Sequence, residues 1–464
     1  MWRKLIVIAV FFSLFQLAEG SGNFMKLDWN ITGSGARAAG MGGAFIGIAD
    51  DATAINWNPG GLTSLEHFEA SYVGTSVSEK EELELLFKIR TYDIFNGWIE
   101  DTYTGEEDLS YKHFSLLNFA SLVYPMTVIE KKLIVAAAVQ KQLDFFSEDK
   151  WEDDDWEGES NSEGGVYTAN LGASYQITKY FSAGITTNLW FGKAEYESYD
   201  FDKNLGDEFY YYESMENFSG VNFTLGTMFD VGSVKENIPL KIGAVVKTPF
   251  EMSFDWNYED YENGYETDSG GIGIKVDMPL MFGIGASYRF GDFFTVGIDF
   301  ERRNYGKSKI KFSDDDTKYP MSMSGDDVTQ FRLGMEYLIV TDNYVVPVRL
   351  GAFNYPTLLS DYEYEYTYYE DDLDWYETET EDYKQVVGYG LSFGTGIIFD
   401  KFAIDLSYNF LTFENKDKYV YNYTYDYIDD NFDWIEEWSE EDIDTTTKHT
   451  LNLSAILYLD SLFK

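Results

Sequence analysis

One feature constrains this chain more than any other: apolar and polar residues alternate with period two over unusually long segments. Over 166–177, Tyr167, Ala169, Leu171, Ala173, Tyr175 and Ile177 share one face, and Thr168, Asn170, Gly172, Ser174 and Gln176 share the other. After Thr178-Lys179 the pattern resumes, with Phe181, Ala183, Ile185, Leu189 and Phe191 against Ser182, Gly184, Thr186, Asn188 and Gly192. It returns through 387–399, 402–410 and 451–459. One apolar face and one small or polar face is how a half-buried strand reads. About fourteen such strands are expected, at 68–78, 114–127, 132–146, 165–177, 181–198, 217–231, 240–256, 271–290, 293–312, 328–340, 344–356, 385–399, 402–413 and 447–459. Six short connections alternate with seven long ones. The pattern predicts an all-β fold: an antiparallel transmembrane β-barrel with short periplasmic turns and long extracellular loops. Strands of soluble proteins are usually about 5–6 residues long. Most of these exceed the roughly 9–11 that cross a bilayer, so the barrel should project beyond the membrane.

The N-terminus gives an address. Arg3 and Lys4 precede an apolar run over 5–17, and Ala18-Glu19-Gly20 offers small residues for cleavage, so 1–20 reads as a secretory signal peptide. An outer-membrane location for the remainder follows from that export signal and the barrel. With 18% aromatics the chain is not a disordered polyanion, despite a net charge of −47. That charge excludes ordinary nucleic-acid binding, which needs a positive footprint. Cys 0 excludes disulfides, thiolate metal sites and cysteine nucleophiles.

Residues 21–67 do not alternate. They hold Gly33-Ser34-Gly35-Ala36-Arg37-Ala38-Ala39-Gly40-Met41-Gly42-Gly43-Ala44-Phe45, then Asp50-Asp51-Ala52 and Asn56-Trp57-Asn58-Pro59-Gly60-Gly61-Leu62. Small residues allow close backbone packing, and Asn58-Pro59-Gly60 is turn chemistry. A fourteen-stranded barrel needs filling or leaves a channel, so this stretch is expected to be an N-terminal plug, with the barrel proper over 68–464. The stretch resembles the N-terminal hatch of the FadL-type outer-membrane transporters of long-chain fatty acids and aromatic hydrocarbons. The resemblance rests on Arg37, Asp50-Asp51-Ala52 and Asn58-Pro59-Gly60-Gly61-Leu62, with Gly60 where the family has Ala. Met278-Pro279 through Tyr288-Arg289-Phe290, Phe331 through Tyr337, and Val348-Arg349-Leu350-Gly351 resemble later strands of that family. The hatch motif is also similar to that of PorV-type barrels of a protein-secretion system. The resemblance implies a hatch built around Arg37, Asp50, Asp51, Asn58, Pro59 and Gly60, and lateral exit of the ligand through a kinked strand. Pro249 and Pro279 interrupt strands, but the spacing does not identify which strand opens.

Catalytic and metal motifs are weak. Gly390-Leu391-Ser392-Phe393-Gly394 matches the elbow of serine hydrolases, which needs a strand-to-helix turn, yet Ser392 falls mid-strand. No catalysis and no cofactor are expected. Asp153-Asp154-Asp155 and Asp314-Asp315-Asp316 lack the spacing of a calcium loop and read as solvated loops. The lumen is more informative. If Phe294, Val296, Ile298 and Phe300 face lipid, then Asp299, Glu301 and Arg303 face inward, and Arg289, Arg332, Glu336 and Arg349 follow by the same alternation. Most should form a bracing salt-bridge network. An Arg left over from that pairing, among Arg303, Arg332 and Arg349, would suit a ligand carboxylate, because its fork engages that group bidentately.

The expected function is passive outer-membrane transport of a hydrophobic small molecule, with lipid around the barrel. The alternative is an interaction protein, a PorV-like secretion partner or a surface adhesin that engages another protein. In the first long connection, 81–90 is expected to form a short helix offering Leu83, Leu85, Leu86 and Phe87 as an apolar landing surface. The charge is local. The seven long connections, at 79–113, 148–163, 200–216, 259–268, 314–327, 361–383 and 426–444, hold 56 of the 81 acidic and 7 of the 34 basic residues, a net −49 that leaves +2 elsewhere. An acidic rim repels anions at low salt, which works against ionised fatty acids and keeps neutral hydrophobic compounds in view.

Overall fold

The computed structural model describes residues 33–460, except 94–96, 153–154, 236–237, 316, 323, 372–373 and 427–432. The expected signal peptide and residues 21–32 lie outside the described residues. The strand segments are β1 (Glu69–Asp93), β2 (Gly97–Val128), β3 (Lys131–Asp144), β4 (Ser147–Glu152), β5 (Trp156–Thr178), β6 (Phe181–Asp202) and β7 (Glu208–Asp230). They continue with β8 (Leu240–Lys247), β9 (Phe250–Glu262), β10 (Tyr265–Met278), β11 (Met281–Phe290), β12 (Phe294–Arg303), β13 (Lys309–Phe312) and β14 (Lys318–Pro320). The last are β15 (Val328–Val340), β16 (Val345–Asp371), β17 (Asp374–Ile398), β18 (Phe402–Asp426) and β19 (Asp433–Tyr458).

These segments make fourteen passes of one closed antiparallel barrel. Closure is made by β1, which pairs with β2 on one side and β19 on the other. Five passes are each built of two segments: β3–β4, β8–β9, β10–β11, β12–β13 and β14–β15. Two of these breaks fall where the sequence places proline. Proline has no N–H for the ladder, so at Thr248-Pro249 the wall divides: β7 pairs with β8 below the break and β9 above it. The neighbouring pass breaks at Pro279-Leu280, with β11 on β8 and β10 on β9.

Outward positions are apolar around the whole barrel, for example Leu171, Val221, Ile284, Ile298, Leu391 and Leu453, all exposed. That belt is the surface a hydrocarbon layer would cover.

Most of the long connections are strand, the one at 314–327 excepted. The ladder between β1 and β2 runs unbroken from Thr75↔Ser115 up to Asp93↔Gly97, and the β18–β19 ladder continues to Asp426↔Asp433. The helix expected at 81–90 is strand: Leu83, Leu85 and Phe87 follow one another along one face of β1 and pair across to β19. Both faces of the upper strands carry polar side chains, some of them buried, as Glu81, Asn415 and Asp417 are, which removes the apolar alternation that marked the lower ones. Tyr, Thr, Trp and Ile still favour extended backbone. Above a bulge between Pro356 and Ser360, the β16–β17 hairpin bends so that β16 runs parallel beside β18. The result is a sheet, in the order β17–β16–β18–β19–β1–β2, standing above the rim.

Residues 33–65 lie inside the barrel. They form helices α1 (Ala36–Gly40) and α2 (Ala54–Trp57) and a 3₁₀ turn at Pro59–Ser64. Their apolar side chains, among them Met41, Phe45, Ile55 and Leu62, are fully buried and join Phe119, Val123, Ile134 and Met228 of the wall in one core.

Candidate ligand site in the barrel lumen

Register places the inward charges. The β12–β15 ladder sets Asp299 opposite Arg332, and the β15–β16 ladder sets Glu336 opposite Arg349. Arg349 donates to Glu336 at 2.7 Å and to Asp405 at 2.6 Å, with its side chain wholly out of solvent. Glu301 receives Arg332 at 3.0 Å and also pairs with Arg303. The bracing network expected from alternation is therefore present. Arg289, at the end of β11, is exposed instead and caps the turn through Asp292 O at 2.7 Å.

The network reaches the internal segment. Arg37 forks onto Glu336, both contacts at 3.0 Å, and meets Asp50 at 2.5 Å. Asp51 turns inward on its own segment, accepting from Thr53 N at 2.8 Å. Asp299 accepts from the backbone N–H groups of Phe45 at 2.6 Å and Ile46 at 2.7 Å. Asn58 donates to Ile46 O and Thr227 O, while its own oxygen takes Gly60 N–H at 3.1 Å and so locks the Asn58-Pro59-Gly60 turn. Small wall residues complete the seat: Ser182 donates to Gly60 O at 2.7 Å, Thr186 to Ile55 O at 2.7 Å and Ser287 to Gly47 O at 2.8 Å. A Cβ on Gly60 would lie 2.7 Å from the Thr227 backbone, so alanine does not fit there without movement. Ser392 sits inside β17 and donates to Gly40 O at 3.1 Å, a seating contact with no strand-to-helix elbow around it.

Above α2 the lumen holds a small, partly open pocket. Its floor and sides carry carboxamides: Asn56, Gln140, Gln142, Asn188 and Asn222, with Thr224. Asn188 donates to Asn222 at 3.1 Å and to Thr224 at 3.0 Å, and the Trp190 indole donates to Asn222 at 2.9 Å. Thr248, Pro279 and Met281, beside the two proline breaks, form another wall, and Trp190 stacks on Phe250 with centroids 5.1 Å apart. Two cations line it, Arg303 and Lys247. Among the described residues, the Lys247 ammonium makes no hydrogen bond or close ion pair, and Glu301 is the carboxylate whose charge acts on it.

Over the pocket lies a second apolar cluster, which includes Trp190, Met215, Phe218, Met252, Trp256, Met278, Tyr305 and Met321. Methionine adapts its shape readily, so this roof can part around an apolar guest at small cost. Glu213 is buried in its upper layer, accepting from Tyr211 Oη at 2.9 Å and from the Trp256 indole. Burial pushes its carboxyl up to about 8.

Of the three arginines expected to serve a ligand, only Arg303 lines the pocket; Arg332 and Arg349 lie in the network, with Arg332 stacked 5.4 Å over the Trp57 ring. Sequence reasoning missed Lys247, the carboxamide array and the methionine roof. The amides stood in the polar half of the alternation, at Asn188 for example, and that was the signal available. Among the described residues, no group of three or more His, Asp or Glu is placed to hold a metal ion; Asp153, Asp154 and Asp316 of the acidic triplets lie outside them.

A family model described as BamG matches residues 36–345. A search of curated proteins returned no match. Among solved structures, a FadL homologue of Pseudomonas aeruginosa aligns with a TM-score of 0.53 at 11% identity, covering 92% of this chain and 99% of its own. The monoaromatic hydrocarbon channel CymD aligns at 0.49 and 16% identity, covering 91% and 98%. The toluene transporter TodX of Pseudomonas putida aligns at 0.47 and 13%, covering 90% and 98%. The first of these establishes a FadL-type fold.

Proposed function

The chain belongs to the BamG family, and on that premise we propose that it is an outer-membrane conduit through which hydrophobic small molecules diffuse inward. The observation that carries this reading is the lumen pocket, roofed by apolar side chains and floored by the internal segment. That it sits in the outer membrane is supported by the outward apolar belt and the fourteen-pass barrel. FadL-type neighbours supply the analogy: two of them are a hydrocarbon channel and a toluene transporter by description.

In this reading a molecule passes the methionine roof from outside and places its apolar body against Trp190, Phe250 and Met281. A carboxylate head, where the molecule has one, meets Lys247 and Arg303. Lys247 is the stronger candidate, since Arg303 already shares Glu301. An ammonium that lines the pocket with no hydrogen bond of its own among the described residues favours an anionic guest. Residues 33–65 serve as the hatch, with Asn56 under the guest and Arg37, Asp50, Asp51, Asn58, Pro59 and Gly60 holding the closed position. Passage downward requires that seat to loosen, and no step consumes energy.

The test is equilibrium binding of a fluorescent long-chain fatty acid to the purified barrel in detergent. Lys247→Met should weaken binding about tenfold, the equivalent of roughly 1.4 kcal/mol, and Arg303→Met should weaken it less. Unchanged affinity in both variants would remove the pocket as the head-group site.

A further inference from the structure

The sheet above the rim has an open edge. Above Phe119, β2 loses β3 as a neighbour, because the β2–β3 ladder ends at Phe119↔Gln140 and β3 continues against β5 alone. At the base of this opening His113 stacks on Phe146 at 4.1 Å and meets Asp144 at 3.1 Å. Higher up, β2 pairs only with β1, and no ladder reaches its second edge among the described residues. Over 99–106 every side chain is exposed on both faces of the strand.

Natural sheets blunt such an edge with charged side chains, lysine above all, or with proline, a bulge or brevity; here the charge is acidic, which turns away a second acidic edge and leaves the edge open to a basic one. Over 97–111 there is no lysine and no proline, and the ladder to β1 carries no bulge above Thr75. Eight exposed residues already exceed a typical strand of about 5–6. We propose that this edge of β2 accepts an extended strand of a partner protein, one rich in Lys or Arg that sets an apolar side chain against Tyr103.

Charge selects that occupant. The stretch 97–112 carries Glu100, Asp101, Glu106, Glu107 and Asp108 against a single Lys112. Two copies of this chain joined edge to edge would bring like carboxylates together, which opposes pairing; a basic strand relieves it. Glu100 is met by Arg90 at 3.4 Å, so Asp101 and Glu106 are the carboxylates left to address a partner. On the other count, Ile99 and Tyr103 are 44% and 58% exposed, and Tyr103 lies beside Phe87, which in turn packs on Trp438. The edge therefore offers main-chain pairing for affinity and alternate side chains for selection, the two parts of strand addition. This inference does not rest on the transport reading.

The experiment uses the full barrel in detergent and two labelled 11-residue peptides, one alternating Lys with Val and one alternating Glu with Val. The lysine peptide should bind saturably and at least tenfold more tightly than the glutamate peptide, with an isotope-edited amide I band for cross-strand pairing. Backbone N–H groups alternate between the two edges of a strand, so of Thr102→Pro and Tyr103→Pro one removes an outward donor and spares the β1 ladder. That variant should keep its heat-modifiable migration and lose the infrared signature. The double variant Asp101→Lys, Glu106→Lys at exposed positions should reverse the peptide preference. Equal binding of the two peptides, or an unchanged infrared signature in both proline variants, overturns the proposal. Binding of the lysine peptide without the pairing band also overturns it, leaving only general attraction.

Discussion

Asp299 shows how much a single side chain can hold. One of its oxygens takes two backbone N–H groups of the internal segment, which tie that segment to β12. Leaving a buried N–H unmet costs about 1–3 kcal/mol. Asp299→Leu should therefore release the segment locally while the fourteen-pass wall stays closed. Hydrogen exchange should show faster exchange at the Phe45 and Ile46 amides, with the wall amides of β5 and β6 unchanged; equal protection would mean the segment is held by its other contacts alone. Gly60→Ala tests the same seat from the opposite side. Its methyl group would press on the Thr227 backbone, so the Asn58–Gly60 hydrogen bond should be lost and the Ser182 contact lengthened. We expect a drop in protection across 58–62, read in the same exchange experiment.

Among elements, the upper strands respond to pH in a direction the buried acids define, on β7 as well as in the β18–β19 ladder. Glu213 stands at about 8 through burial. Asp417 is raised to about 7 by burial and by Asp442, which faces it across the β18–β19 ladder, with Asp444 adding to the effect and the Tyr362 backbone opposing it. Asp442 is raised to about 6 by burial and Glu440. A carboxyl raised on folding binds its proton more tightly in the folded state. Its contribution is thus complete below about pH 4 and is lost as pH rises through about 6 to 8. For buried Glu213 the slope within that window approaches about 1.4 kcal/mol per pH unit. The upper strands should therefore be better protected from exchange at pH 5 than at pH 9, and Glu213→Gln should flatten the upper part of that dependence. Protection that rises with pH would contradict the burial of these groups. Alternation located the lower strands, whereas the upper halves of β1, β2, β18 and β19 were read as loops. The reason is physical: period two is visible only where one face is apolar, and here both faces are polar, with Glu81, Asn415 and Asp417 buried on one of them.

At the scale of the whole molecule, the charge divides the barrel into a nearly neutral body and an acidic crown of −49. An anionic guest must cross that crown to reach Lys247. Screening shortens its reach to a Debye length of about 8 Å at physiological ionic strength. Uptake of a long-chain fatty acid into the detergent-solubilised barrel should accelerate between 10 mM and 150 mM salt, at ionic strengths for which the Debye length falls from about 30 Å to about 8 Å. A neutral alkanol of equal length should not respond. An equal response of both guests would exclude the crown as the gate. The sequence by itself determined the class of fold, the number of passes, the inward charges of β12, β15 and β16, and the location of the acidic excess. Each of these is a local periodicity or a count. It also marked Asn58-Pro59-Gly60 as a turn. Only the tertiary structure decided which charges meet, because Glu336 joins Arg37 across 299 residues of chain and Arg349 joins Asp405 across 56, through strand register and an internal segment threaded past it. The pocket, its methionine roof, the place of Lys247 in its lining and the open edge of β2 were decided there too. Each depends on where a ladder ends, and the end of a ladder is a property of two strands.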